Sequence, residues 1–253
     1  MTKVYFIVII VSMFRRLIQG LTEIVYPKTC LSCKKKLSIE AKDIFVCPQC
    51  WVKIKKNLPP FCISCGRQLQ KRWLSKNICP ACQKKNLHFD RAFSPCAYDG
   101  VIKELIHKFK YGGKDRLGRH LSRLMTEFIK EYDLPMDFID CIIPIPLHKT
   151  RLREREFNQA QILSRSVAEE FKKDVLVDAV ERYRHTKTQT DLEIHERADN
   201  VKDSFRVTDS GAVKGKNVLL IDDVLTTGAT SSEVASALKK AGANIVFVLT
   251  LAN

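Results

Sequence analysis

From about residue 92 onward, apolar positions alternate between two periods. Phe138–Ile145 is an apolar run ending in Pro144 and Pro146, which predicts a buried strand feeding a loop. Across Phe157–Phe171 the apolar residues Phe157, Ala160, Ile162, Leu163, Val167 and Phe171 recur at helical spacing. Asn217–Ile221 reads as a short buried strand, Thr230–Ala241 as a helix stopped by Gly242, and Ile245–Leu251 as a final buried strand. Continuous apolar strands alternating with helices predict an α/β fold, a parallel sheet covered on both faces.

The first part of the chain follows another pattern. Its longest apolar run, Val4–Phe14, is shorter than the ~18–20 residues of a spanning helix, so no transmembrane span is expected. Arg15 and Arg16 follow it, and no small-x-small cleavage site appears. From Met13, an alternative start to Met1, Phe14, Leu17, Ile18, Leu21 and Ile24 fall at helical spacing until Pro27. The expected organisation is a helical extension over 1–29, a cysteine-rich module over 30–90 and an α/β domain over 91–253.

The module is built on four C-x-x-C pairs: Cys30/Cys33, Cys47/Cys50, Cys62/Cys65 and Cys79/Cys82. The second half repeats the first at a constant offset of 32 residues, and Ser32/Ser64 and Pro48/Pro80 repeat as well. Two thiolates on a tight knuckle reach one zinc at ~2.3 Å, and two knuckles complete a tetrahedral site. Four-thiolate sites leave no open position, so two structural Zn²⁺ ions are expected, supplying much of the folding energy of units too small to fold on burial alone. Pairing within each repeat is the simplest arrangement, and a cross-braced one is the alternative. Gly66 suits the knuckle by tolerating positive φ; Lys34 holds the matching place. Cys96 and Cys141 lie in apolar runs and read as buried structural thiols. His107, His120, His185 and His195 lack metal-ligand spacing.

Charge follows the same division. The 253 residues carry a net +15, but residues 1–92 hold 18 basic and 4 acidic side chains while 93–253 hold 25 and 24. Eight thiolates on two zinc ions lower the first region's net charge only to about +10. Trp51 and Trp73, with Phe45 and Phe61, lie among these cations. That mixture fits single-stranded DNA, where cations follow phosphates and rings stack on bases; it equally fits small zinc modules whose tryptophans are mini-cores. A chain with eight clustered thiols and no secretion route is expected to be cytoplasmic.

In parallel sheets, ligands bind at the carboxyl edge of the strands. Residues 218–230 read VLLIDDVLTTGAT: a buried strand, the acids Asp222 and Asp223, the loop Thr226, Thr227, Gly228 and Ala229, and a helix from Thr230. Loop amides, hydroxyls and a helix N-terminus cradle phosphate, and carboxylates accept hydrogen bonds from sugar hydroxyls. After the earlier strand, Leu147, His148, Lys149, Arg151, Arg153 and Arg155 crowd one loop; arginine forks suit pyrophosphate, although alternating Arg and Glu over 151–156 also suits a solvated helix start.

The 218–230 segment resembles the phosphoribosyl pyrophosphate (PRPP) motif of type I phosphoribosyltransferases. That resemblance implies that Asp222 and Asp223 hold the ribose 2′ and 3′ hydroxyls, that Thr226 to Thr230 hold the 5′-phosphate, and that Mg²⁺ accompanies PRPP. With the zinc module, the 144–160 segment, Tyr98-Asp99-Gly100, Lys110-Tyr111-Gly112, and the run Gln189, Leu192, Arg197, Asn200 and Phe205, the chain resembles the ComF family, competence-associated proteins with a double zinc ribbon before a phosphoribosyltransferase-like domain. The family usually reads Arg-Gly-Phe-Asn-Gln; here Glu156 replaces the glycine and adds negative charge beside the expected pyrophosphate loop (Leu147, His148, Lys149, Arg151, Arg155). The resemblance implies a role in natural transformation, with single-stranded DNA and a DNA-uptake helicase or other competence machinery as partners. The alternatives are an active phosphoribosyltransferase in nucleotide metabolism and a PRPP-responsive regulator. Glutamine-dependent amidotransfer is not expected, because no glutaminase domain with an N-terminal cysteine is present.

Overall fold

The computed structural model describes residues 28–37, 45–111, 115–184 and 201–253. The helical extension with its Met13 start, Gly112, His185, Gln189, Leu192, His195, Arg197 and Asn200 lie outside the described residues. The chain divides into two compact units between Lys53 and Ile54.

The first unit contains the first cysteine repeat. Its knuckle is closed by Cys30 N–H to the Lys35 carbonyl at 2.8 Å and by Lys34 N–H to the Cys30 carbonyl at 3.0 Å. The short helix α1 (Pro48–Val52) carries the second pair, with proline in its first turn where the missing N–H costs nothing.

The second unit opens with the same construction displaced by 32 residues. Cys62 N–H donates to the Arg67 carbonyl at 2.8 Å, Gly66 N–H to the Cys62 carbonyl at 3.0 Å, and α2 (Pro80–Gln83) carries the closing pair. Between them Lys71–Lys76 forms a 3-10 turn. The sequence repeat is thus a repeat of hydrogen bonds. The repeats differ in surroundings: Cys62, Cys65, Cys79 and Cys82 share one buried cluster with Ala92, Ile143, Val218, Leu220 and Val248 of the α/β layer.

That layer is a five-stranded parallel sheet in the order β1 (Arg91–Phe93), β7 (Ile245–Ala252), β6 (Asn217–Val224), β2 (Cys141–Pro144), β3 (Asp174–Val175). A separate antiparallel pair joins β4 (Val180–Arg182) to β5 (Phe205–Val207). The helices are α3 (Gly100–Tyr111), α4 (Asp115–Glu131), α5 (Lys149–Arg155), α6 (Gln159–Phe171) and α7 (Ala229–Lys240). In α4, Leu117, Leu121, Leu124, Met125 and Phe128 recur at helical spacing and are all buried. β6 runs beyond the expected Ile221 to Val224, because pairing with β7 continues through Asp222 opposite Thr250 and Val224 opposite Ala252. Cys96 and Cys141 are buried, and burial pushes the Cys96 thiol up to about 12. Among the described residues no helix is long and apolar enough to cross a membrane.

The second ribbon is fastened to the sheet by polar bonds as well. Ala92 N–H donates to the Ser64 carbonyl at 2.8 Å, and the Asn253 side-chain amide donates to the Cys65 carbonyl at 2.8 Å. Phe61 packs edge-on against Phe128 and Tyr132, with centroids 5.7 and 5.1 Å away. Gly66 sits at φ +70°, and a Cβ there would lie 2.6 Å from the Ala92 carbonyl oxygen. Lys34, its counterpart, has φ 64° but is exposed and donates its ammonium to the Leu31 carbonyl at 3.0 Å. Both knuckles need left-handed backbone; only the second also needs the missing side chain. Gly66→Ala is therefore expected to destabilise the protein by about 2 kcal/mol in urea unfolding, and Lys34→Gly to be neutral or stabilising by up to about 1 kcal/mol. Equal losses from both substitutions would show that the seam at Ala92 is not the difference.

Candidate functional site

Two sets of side chains carry chemistry. The first comprises the cysteine clusters. Cys30, Cys33, Cys47 and Cys50 form one and Cys62, Cys65, Cys79 and Cys82 the other, the four sulfurs of each lying within 4.8 Å of one another. Pairing is thus within each repeat, not cross-braced. The Cys33–Cys47 and Cys65–Cys79 sulfur separations are 3.7 and 3.8 Å, close to the ~3.8 Å edge of a tetrahedron with metal–sulfur bonds of ~2.3 Å. In both clusters a backbone N–H points at a sulfur, Cys47 N to Cys30 Sγ at 3.4 Å and Cys79 N to Cys62 Sγ at 3.3 Å. Burial opposes ionisation of Cys30, but N–H groups of Cys47, Cys33 and Ser32 outweigh it and bring the thiol down to about 6. Burial and neighbouring thiols push Cys50 up to about 12. Four thiolates at this spacing require a cation, and the donor set suits two zinc ions, one per cluster.

The second set lines a cleft of about 400 Å³ at the carboxyl edge of the sheet. One wall is the end of β6 with the loop that follows: Asp222, Asp223, then Thr226 to Thr230 entering α7. The Thr227 hydroxyl accepts from Ala229 N–H at 3.3 Å, and Ser232 N–H donates to the Gly228 carbonyl at 2.8 Å, turning the chain sharply into the helix. The opposite wall comes from the exit of β2. Ile145 N–H stays bonded to the Ile221 carbonyl at 2.9 Å, and the Asn158 amide donates to the Ile145 carbonyl at 3.1 Å while its oxygen caps α6. Between these anchors α5 presents Arg151 and Arg155 to the cleft. Arg155 donates to the Gln159 side-chain oxygen at 3.1 Å and to the Tyr111 hydroxyl at 3.2 Å.

The charges are arranged in opposition. Lys110, from the end of α3, forms an ion pair with Asp223 at 2.8 Å, and both side chains are largely buried. Burial works against the Lys110 charge, yet Asp223 beside it raises the ammonium above its usual value. Burial, then the Asp223 charge, raise the Asp222 carboxyl to about 7. Burial lowers Arg182 below the usual guanidinium range, and repulsion from Arg151 and Arg155 adds to this. A cluster of cations that repel one another within a concave site favours a polyanion.

The structure brings together Asp222, Asp223, Thr226, Thr227, Gly228, Ala229, Thr230, Leu147, His148, Arg151 and Arg155 around this one cleft. Lys149 is exposed and does not line it, and Arg153 is also exposed. The alternating Arg/Glu segment is indeed a short helix, with Arg151 3.8 Å from Glu154, but its Arg151/Arg155 face turns inward. Glu156 occupies a left-handed conformation, φ 66°, which accounts for the family's usual glycine there. Lys110 and Arg182 were not nominated as site residues from the sequence. Lys110 stands in a noted triplet; Arg182 had no local signal, since its place depends on the β4–β5 pair.

Asp222 supplies a pH test. Its carboxyl ionises near 7 in the folded chain and near 3.8 when unfolded, so the folded state retains a proton that the unfolded chain releases between those values. The contribution of this group to stability is greatest below about pH 4 and declines as pH rises towards 7. Asp222→Asn, neutral throughout, is expected to gain on the native protein as pH rises. The Tm difference in its favour should grow by about 2–5 °C between pH 5 and pH 8. A difference independent of pH would show that Asp222 is an ordinary solvated carboxylate.

Comparison with known proteins identifies both parts of the chain. Residues 21–83 match the double zinc ribbon domain and residues 158–253 the phosphoribosyl transferase domain. Among solved structures, glutamine PRPP amidotransferase from B. subtilis aligns at 17% identity and TM-score 0.33, over 55% of this chain and 26% of that one. Purine phosphoribosyltransferase from Pyrococcus horikoshii aligns at 21% identity and TM-score 0.31, over 52% and 69%. "DNA utilization protein YhgH" of Escherichia coli is 30% identical over 68% of this chain and 76% of its own length. "Competence protein F" of Haemophilus influenzae is 30% identical over 88% of this chain and 96% of its own. With both domain types present in order and that identity sustained along nearly the full length of a relative, the chain belongs to the ComF family.

Proposed function

We propose that this protein binds PRPP with Mg²⁺ in the cleft and single-stranded DNA on its cysteine-rich region, and that it acts in the cytoplasm in DNA uptake. The observation that carries the PRPP reading is the meeting of both charge signs in one cleft: an acid pair and hydroxyl-rich loop together with Arg151, Arg155 and Arg182. In this reading Asp222 and Asp223 accept hydrogen bonds from the ribose hydroxyls, the 226–230 loop takes the 5′-phosphate, and the arginines take the pyrophosphate. Lys110, 2.8 Å from Asp223, positions that carboxylate for the role. Asp222 and Asp223 are hard oxygen donors that would suit a Mg²⁺ accompanying PRPP, and such an ion would neutralise part of the pyrophosphate charge. Competence machinery is the corresponding partner class, on the strength of the relatives' names.

The DNA reading rests on charge. Residues 54–89 hold eight Lys and Arg and no Asp or Glu. Lys71, Arg72 and Lys76 are exposed on the 3-10 turn, and the Arg72 guanidinium lies 4.7 Å from the Trp73 ring centre. Trp73 is itself partly buried against the core, so the cations, more than the ring, carry the expected contact.

Turnover is a second reading, favoured by the match of residues 158–253 to the phosphoribosyl transferase domain: an acceptor attacks C1 of the ribose and pyrophosphate leaves towards the arginines. Pyrophosphate release in the presence of PRPP, Mg²⁺ and a metabolite extract tests it.

Calorimetric titration with Mg-PRPP is the direct test of the cleft. Asp222→Asn with Asp223→Asn is expected to abolish PRPP binding and leave affinity for single-stranded DNA unchanged. Reversing Lys71, Arg72 and Lys76 to Glu should do the converse, weakening DNA binding at least about tenfold and flattening its salt dependence. Loss of both ligands from either variant would mean that one surface serves both.

A further inference from the structure

The cleft's phosphate loop is held from behind by the segment leaving the second cysteine cluster. Lys85 N–H donates to the carbonyl of Cys82 at 3.1 Å, and the Lys85 ammonium donates to the carbonyl of Thr227 at 2.7 Å. A single residue therefore joins the backbone of a zinc-ligating cysteine to the loop. Two residues further on, the Leu87 side chain closes over Gly228; a Cβ at Gly228 would stand 3.3 Å from Leu87 Cδ2 and 3.7 Å from the Phe89 ring. His88 N–H then donates to the Ser232 hydroxyl in α7 at 3.0 Å, and Asp90 N–H joins the Val246 carbonyl at 2.9 Å. Beyond Cys82, these side-chain and backbone bonds reach the loop, the helix it enters and the neighbouring strand.

The peptide between Thr227 and Gly228 shows what this accomplishes. A trans peptide is planar, with its C=O and N–H on opposite sides. Holding the Thr227 oxygen against Lys85 turns the Gly228 N–H away from the ribbon, and Gly228 is a cleft-lining residue at φ +81°. The ammonium thus selects one peptide orientation in a glycine-containing loop that has others available. Preorganised amides bind phosphate without a reorganisation cost.

We propose that residues 84–89 are a strut that sets the phosphate loop, with Lys85 as its positioning residue, and that ligand binding in the cleft is linked to zinc retention at Cys62, Cys65, Cys79 and Cys82. The proposal rests on the PRPP reading of the cleft. Linkage is reciprocal: a metal that orders the strut strengthens phosphate binding, and a phosphate ligand that orders the loop holds the metal more tightly.

Zinc release from the full-length protein to an excess of a colorimetric chelator reads this directly. Two phases are expected, the faster from the first cluster, where Cys33 is exposed, and the slower from the second, where all four cysteines are buried. Saturating PRPP with Mg²⁺ should lengthen the slow phase about fivefold. Lys85→Met should keep two zinc ions, lose that protection, and bind PRPP about tenfold more weakly. Lys85→Arg, which still offers donors to the Thr227 carbonyl, should recover part of both effects. If Lys85→Met fails to hold zinc, Ser232→Ala carries the same comparison through the His88 contact. A slow phase unaffected by PRPP, in protein that binds PRPP calorimetrically, overturns the proposal, as does protection that persists in Lys85→Met and Ser232→Ala. Absence of calorimetric binding to the native protein overturns the PRPP reading itself.

Discussion

Two adjacent carboxylates at the end of a buried strand repel each other and have lost much of their water. The cleft is organised around that cost. Asp223 is buried and is answered by Lys110 from α3; Asp222 is left partly protonated near neutrality by burial and by its neighbour. Because strands of a parallel sheet carry no room for counter-ions within the layer, the compensating cations come from the connections, α3, α5 and the β4–β5 pair. These connections bring more cations than the acids need. They line the same cleft as the acids, together with the hydroxyl-bearing 226–230 loop, so both signs of charge meet at one concave site.

The two ribbons repeat one construction and differ in burial. Each repeats the same turn, the same N–H to sulfur contact and the same proline-led helix. In the second repeat, the left-handed knuckle lies under β1 and its sulfurs join the core of the sheet. A residue at the same repeat position can thus be lysine in one copy and glycine in the other.

Much of this was legible along the chain because the informative spacings are short. The C-x-x-C pairs and the 32-residue offset specify two clusters before any fold is known, and periodicity placed α7 within a residue of its observed ends. The acids of 222–223 announced a strand end, although pairing with Thr250 keeps them inside β6. What escaped were features that depend on partners far along the chain. Nothing near Lys110 names Asp223, nothing near Arg182 names Arg151, and Lys85 in a run of cations looks like one more solvated charge until its ammonium is found on Thr227. Glu156 was visible as a departure, and only its backbone angle explains the position.

The unequal burial of the cysteines has a consequence for the protein under chemical stress. An oxidant or alkylating agent arriving from solvent meets Cys33 first and reaches Cys62, Cys65, Cys79 and Cys82 only after local unfolding. Damage would therefore be graded: the first ribbon is lost while the second, continuous with the core of the sheet, persists. The duplicated element thus offers a reagent from solvent one cluster with an accessible sulfur and one enclosed in the core of the sheet.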